Sequence, residues 1–145
     1  MSIFYEYHPL TGFLVGWHTD PTRTANATDV PPGPIPPNRA RWNGATWVED
    51  SSVEQAEAQA ARLAAGVAAV QARLDAQAQA WGYDSIFTAC TYAEEPSVPR
   101  FQAEGRALRA WRSATWAAAN AAAATAQTVE ELLAALPVAP TRPEE

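Results

Sequence analysis

From Val53 to Trp81 apolar or small residues recur at alternating steps of three and four: Val53, Ala56, Ala60, Leu63, Val67, Val70, Leu74 and Trp81, with Gln77 the one interruption. That spacing commits about four heptads to one long helix with a single apolar seam, and such a seam has to be covered. The small Ala56 and Ala60 allow close approach of a second helix, from this chain or from another, and alanine-rich seam positions do not decide between the two. Interior Gly66 costs up to about 1 kcal/mol relative to alanine, so the helix needs packing to persist. Ser51 and Ser52 stand three positions before Glu54 and Gln55, and either pair fits a capping box at the helix start. Gly82 supplies a residue able to adopt positive φ just past the end.

The same pattern continues downstream. Asp84 is placed to cap a short helix carrying Ile86, Phe87, Ala89, Cys90 and Ala93 on a buried stripe, and Pro96 and Pro99 end it. A second long helix is expected from about Arg100 to Ala126, with Phe101, Leu108, Trp111, Thr115, Ala119 and Ala122 inward, folding back on the first. Thr128 and Glu131 fit a second capping box before Val129, Leu132, Leu133 and Leu136, and Pro137 stops that last helix. Trp81, Phe87, Leu108 and Trp111 are expected in the core, and residues 137–145 read as a tail.

Residues before 51 have a different period. Ile3, Tyr5 and Tyr7 alternate along one strand, Phe13, Val15 and Trp17 along another, and the turn His8-Pro9-Leu10-Thr11-Gly12 joins them. Residues 20–38 are rich in proline, which fixes φ and removes backbone donors, so they read as an extended connector. In Arg41-Trp42-Asn43-Gly44-Ala45-Thr46-Trp47 the Asn-Gly pair favours a two-residue hairpin turn, which sets Trp42 opposite Ala45 and Ala40 opposite Trp47. The two tryptophans then lie diagonally on one face, where they either pack the hairpin or form a ligand platform. The expected fold class is α+β: an antiparallel β-hairpin module (1–19 and 39–50), a Pro-rich connector (20–38), and a helical hairpin, bundle or coiled coil (51–136).

At 145 residues two full independent cores are not expected, and much of the 48% hydrophobic content is alanine, which buries little area. A partner surface is the natural supplement. The net charge of -6 is spread over both halves, which disfavours nucleic acid and anionic membranes. No run approaches the roughly 18 apolar residues of a spanning helix, and the N-terminus lacks the pattern of a secretory signal.

Candidate chemistry is sparse. Glu94-Glu95 reads as a solvated pair and Cys90 as a buried structural thiol. Arg106, Arg109 and Arg112 read as ion-pair partners of Glu57, Asp75 or Glu104. No phosphate-binding glycine loop, zinc pattern or serine elbow occurs, so no catalytic residue, metal or cofactor is expected. Aromatic anchors dominate interface energy, which makes Trp17, Trp42 and Trp47, with Tyr5 and Tyr7, the candidates for partner contact.

Two segments resemble proteins of tailed bacteriophages. Trp81 to Ala118, WGYDSIFTACTYAEEPSVPRFQAEGRALRAWRSATWAA, is similar to a C-terminal helical segment of phage tail proteins: a GYDS helix, a proline break, an F-x-A-E-G step and a W-R-x-x-x-W helix. YEYHPLTGF, ATDVPP and RWNGATW resemble the opening region of tail-fibre assembly proteins. The resemblance implies a chaperone-like helper that binds a tail-fibre or other tail protein. It implies action in the host cytoplasm during assembly, in some cases followed by retention on the virion tail as a structural component, and homo- or hetero-oligomeric contacts. It implies neither enzymatic activity nor a cofactor. The alternative is a receptor-binding tip whose tryptophans stack on host glycans.

Overall fold

A computed structural model describes residues 2–23 and 25–144. Thr24 of the expected connector, Met1 of the β module and Glu145 of the expected tail lie outside the described residues. The strands all precede residue 50 and the long helices all follow it, so the fold is α+β: β1 (Phe4–Tyr7), β2 (Leu14–His18), β3 (Ala27–Thr28), β4 (Ala40–Trp42), β5 (Trp47–Glu49), then α1 (Ser52–Ala80), α2 (Ile86–Thr91), α3 (Pro99–Ala122) and α4 (Val129–Ala134). No helix among the described residues is long and apolar enough to cross a membrane.

The chain divides into two units, Met1–Glu57 and Ala58–Glu145. The division falls seven residues beyond the expected start of the helical module. Its cause is visible in the first turns of α1, where Glu54 accepts from Nε of Arg39 at 2.8 Å and from the side-chain amide of Asn38. These bonds tie the start of the helix to the strands.

In the first unit β1 is the centre of a three-stranded antiparallel sheet ordered β2-β1-β3. Phe4 pairs with His18, Tyr5 with Trp17, Glu6 with Gly16 and Tyr7 with Leu14, so a bulge leaves Val15 as the extra residue. The proline-rich segment is more than a spacer, since its Ala27 and Thr28 pair with Glu6 and Tyr5. Prolines flank those two residues but do not occupy them, so their backbone groups remain free to pair. The second hairpin differs from the expected register: Trp42 faces Trp47 and Ala40 faces Glu49. Asn43 is the reason. Its Oδ1 accepts from the N–H of Ala45 at 3.0 Å and of Thr46 at 2.9 Å, stabilising a four-residue loop in which Gly44 takes φ +99°.

In the second unit the buried face of α1 is Gly66, Val70, Leu74 and Ala78, followed by Trp81. This is a stripe of four-residue steps along one side of the helix. Leu63 and Val67 of the expected seam are therefore exposed, as is Val53 in the first unit. Ile86, Ala89, Leu108, Trp111, Ala119, Leu132 and Leu136 complete the core. Phe87, expected inside, is 74% exposed: Ile86 and Ala89 take the inward face of this six-residue helix, and Phe87 falls on the other.

Caps settle the helix ends. Ser85, not Asp84, caps α2 by accepting from the N–H of Thr88, while Asp75 accepts from the N–H of Ile86 at 2.9 Å. Pro99 begins α3 as its first residue, where a missing N–H costs nothing. Thr128 caps α4 as expected, but Glu131 reaches back to the N–H of Gln127 at 2.7 Å. The expected tail is tied down. The Pro137 carbonyl accepts from Arg73 and from Nε1 of Trp111, and Arg142 donates to the Trp81 carbonyl at 2.9 Å.

Candidate functional site

The five aromatic residues expected to make contacts all lie in the first unit, but they do not form one surface. Tyr7, Trp42 and Trp47 cluster. Tyr7 stacks on Trp42 with ring centroids 6.1 Å apart and 25° between planes, meets Trp47 edge-on at 6.5 Å, and the two tryptophans tilt together at 5.5 Å. The hairpins are joined at the same place, because the Trp42 N–H donates to the Gly12 carbonyl at 2.8 Å and Phe13 bridges to Arg41.

Trp47 is only 6% exposed, and its Nε1 donates to the Val30 carbonyl at 2.7 Å. Its ring is the core of the β unit and is not available to a partner in this fold. The proline-rich segment supplies the acceptor that lets an indole be buried with its polar atom satisfied. Trp42 and Tyr7 are half-buried and border an open hollow of about 540 Å³, together with Leu10, Thr11, Arg41 and Asn43.

Trp17 is different. It is 67% exposed and stands opposite Tyr5 on β2, with exposed Val15 two positions before it. β2 is an edge strand: β1 takes one side, and on the other side Phe13 is bridged by Arg41. Among the described residues no further strand is hydrogen-bonded to the outer side of Val15–His18, but β4 and the turn Pro37–Arg39 lie against β2. Tyr5 and Trp17 are thus brought together on the sheet, apart from the Tyr7, Trp42 and Trp47 cluster. Phe4 of β1 stacks on His18 of β2 at 5.5 Å, and Glu6 pairs with Arg23 at 2.7 Å, which ties β1 to the segment after β2.

The helical unit contains a charged centre built on Glu104. The Glu104 side chain is fully buried and accepts from Tyr83 Oη at 2.8 Å, from Arg100 at 3.0 Å and from Arg142 at 2.8 Å. Burial alone pushes its carboxyl up, but the bonds from Arg142, Tyr83 and Arg100 outweigh that and bring it down to about 2. The Tyr83 hydroxyl, desolvated and donating to this carboxylate, titrates far above its ordinary range. Next to it, a Cβ on Gly105 would lie 2.6 Å from the Ala93 nitrogen, so the glycine lets α3 touch the backbone after α2.

The arginines of α3 do not pair as expected. Arg106 donates to the Ala93 carbonyl and Arg109 to Glu94 at 2.6 Å, while Glu104 is held from Arg100 and Arg142. Cys90 is partly buried, and burial raises its thiol above the ordinary value, which makes the nucleophilic thiolate scarcer. Among the described residues no group of three or more His, Cys, Asp or Glu is arranged to hold a metal ion.

Several residues between Trp81 and Ala118 hold the helices together. Gly82 takes φ +95°, Tyr83 and Glu104 share a hydrogen bond, Ser85 caps, Gly105 allows close approach, and Trp111 is core. Comparisons with protein-family models, with curated proteins and with solved structures each found no match.

Proposed function

We propose that this chain is a bacteriophage tail-fibre-associated assembly protein that acts by binding, without catalysis, and that it can remain on the tail as a structural component. The observation that carries the reading is an exposed indole on an edge strand: Trp17 on β2, with exposed Val15 two positions before it. An edge of this kind can accept an extended segment of a partner through main-chain hydrogen bonds, while the large side chains supply affinity. A folding fibre offers such unpaired edges, and covering them prevents edge-to-edge aggregation. In the second unit the segment after Leu136 is held through Pro137 by Arg73 and Trp111 and through Arg142 by Glu104, so the helical unit is tied down as far as Arg142.

The test is co-expression with the fibre protein encoded next to it, followed by co-purification and mass spectrometry of mature particles. Co-purification supports the helper role, and presence in particles selects retention over transient help. Recovery of correctly folded fibre from cells lacking this chain would overturn the proposal.

One observation favours a second reading, a receptor-binding tip. Tyr7 and Trp42 present stacked rings at the border of an open hollow that also holds Thr11, Arg41 and Asn43, a combination that suits a sugar ring and its hydroxyls. Glycan-array binding abolished by Trp42→Ala, with folding intact, would favour it.

A further inference from the structure

Nine of the ten arginines make a hydrogen bond or ion pair within the chain, to Glu6, Glu54, Asp50, Gln127, Glu104 or Glu94 or to main-chain carbonyls. Arg112 is the exception among the described residues. It lines a hollow of about 250 Å³ between α2 and α3, shared with Arg109 and with Phe87, Cys90 and Thr91. The hollow follows from helical spacing: Phe87, Cys90 and Thr91 lie three and four apart on one face of α2, and Arg109 and Arg112 lie three apart on α3. Its lining is therefore apolar on one side and cationic on the other. An exposed phenylalanine beside a guanidinium with no partner is not needed by the core, since Ile86 and Ala89 already fill the inward face of α2.

We propose that this hollow is a docking site for an acidic segment of a partner protein, with Arg112 binding a carboxylate and Phe87 packing against an apolar side chain beside it. The surface lies in the helical unit and is independent of the β2 edge. Charge selects the occupant. A planar guanidinium matches a carboxylate with two parallel hydrogen bonds, and Glu94 already holds the neighbouring Arg109 in a carboxylate pair at 2.6 Å. One unengaged cation on a chain of net charge -6 does not suit a polyanion such as nucleic acid, whose affinity rests on many phosphate contacts. Phe87 adds apolar area that a phosphate backbone would not use.

The test uses the full-length chain and two probes, N-acetyl-Leu-Glu-amide and N-acetyl-Leu-Gln-amide, followed by NMR at the Arg112 Nε–H and the Phe87 ring. The Glu probe is expected to shift both signals and saturate in the millimolar range, about fourfold more tightly than the Gln probe, with the preference fading as NaCl is raised. Arg112→Gln is expected to remove the preference. Glu94→Gln, which releases Arg109, is expected to tighten binding about threefold. All these positions are exposed, and circular dichroism confirms that each variant folds. Equal shifts with both probes, no shift, or an Arg112→Gln protein that still prefers Glu would overturn the proposal. So would self-association lost in Arg112→Gln, because the carboxylate would then come from a second copy.

Discussion

Nε of Arg142 donates to Oε1 of Glu104 at 2.8 Å, tying the segment beyond Leu136 to the middle of α3 through a fully buried carboxylate. Arg100 and Tyr83 complete the set, so the charge is hydrogen-bonded from three directions in a region otherwise packed with Trp81, Ile86 and Leu108. A buried charge of this kind is tolerated only while its partners are present.

Because Glu104 titrates near 2 when folded, against an ordinary 4.5, it contributes stability that is present in full above about pH 4.5 and lost as the pH falls toward 2. Arg142→Ala removes one of the bonds that depress the carboxyl. It is expected to cost about 2 kcal/mol at pH 7 and to move the acid-unfolding midpoint upward. Urea unfolding followed across pH 2–7 measures both effects.

Two glycines separate packing from helix propensity. A Cβ on Gly105 meets main-chain atoms of Tyr92 and Ala93 at under 3 Å, whereas a Cβ on Gly66 meets only the flexible end of Leu132 at 2.9 Å. Gly105→Ala is expected to destabilise by about 2 kcal/mol despite the better helix former. Gly66→Ala is expected to be within about 0.5 kcal/mol of neutral, as the propensity gain offsets a small side-chain shift. Thermal unfolding of the two variants side by side distinguishes them.

The tryptophans of the β unit divide by role. Trp47→Ala removes the buried ring, its contacts with Tyr7 and Trp42 and the bond to Val30, and is expected to cost about 3–5 kcal/mol. Trp17→Ala, at a largely exposed position, is expected to change stability by less than about 0.5 kcal/mol. Equilibrium denaturation of both proteins checks the division.

Much of the fold was legible because period and caps act locally. The alternation around Tyr5 and Trp17, the stop of α1 at Gly82 and the cap at Thr128 follow from neighbours in sequence. What was not legible depended on competition between nearby groups or on distant partners. Asn43 can support either a two- or a four-residue turn, and the choice of the longer one set Trp42 against Trp47. The heptad from Val53 to Val67 describes a seam whose Val53, Leu63 and Val67 stay exposed, because the buried stripe of α1 begins only at Gly66 and runs in four-residue steps. Phe87 and Cys90 share a face, but on a six-residue helix only tertiary contact decides which face turns inward. Of the five candidate contact residues, the burial of Trp47 could not be foreseen, since its acceptor, Val30, lies in a segment read as a spacer. Glu104 and Arg142 are 38 positions apart, and no local pattern joins them.

The most direct test of binding through the β2 edge is the yield of folded, trimeric tail fibre when the neighbouring fibre protein is co-expressed with this chain or with its Trp17→Ala variant. The wild-type chain is predicted to co-purify with the fibre and to raise the trimer yield. The variant, folded to the same stability, should lose at least about tenfold in fibre binding, as expected for a central aromatic anchor. Fibre trimers recovered equally with either protein, or with neither, would contradict it.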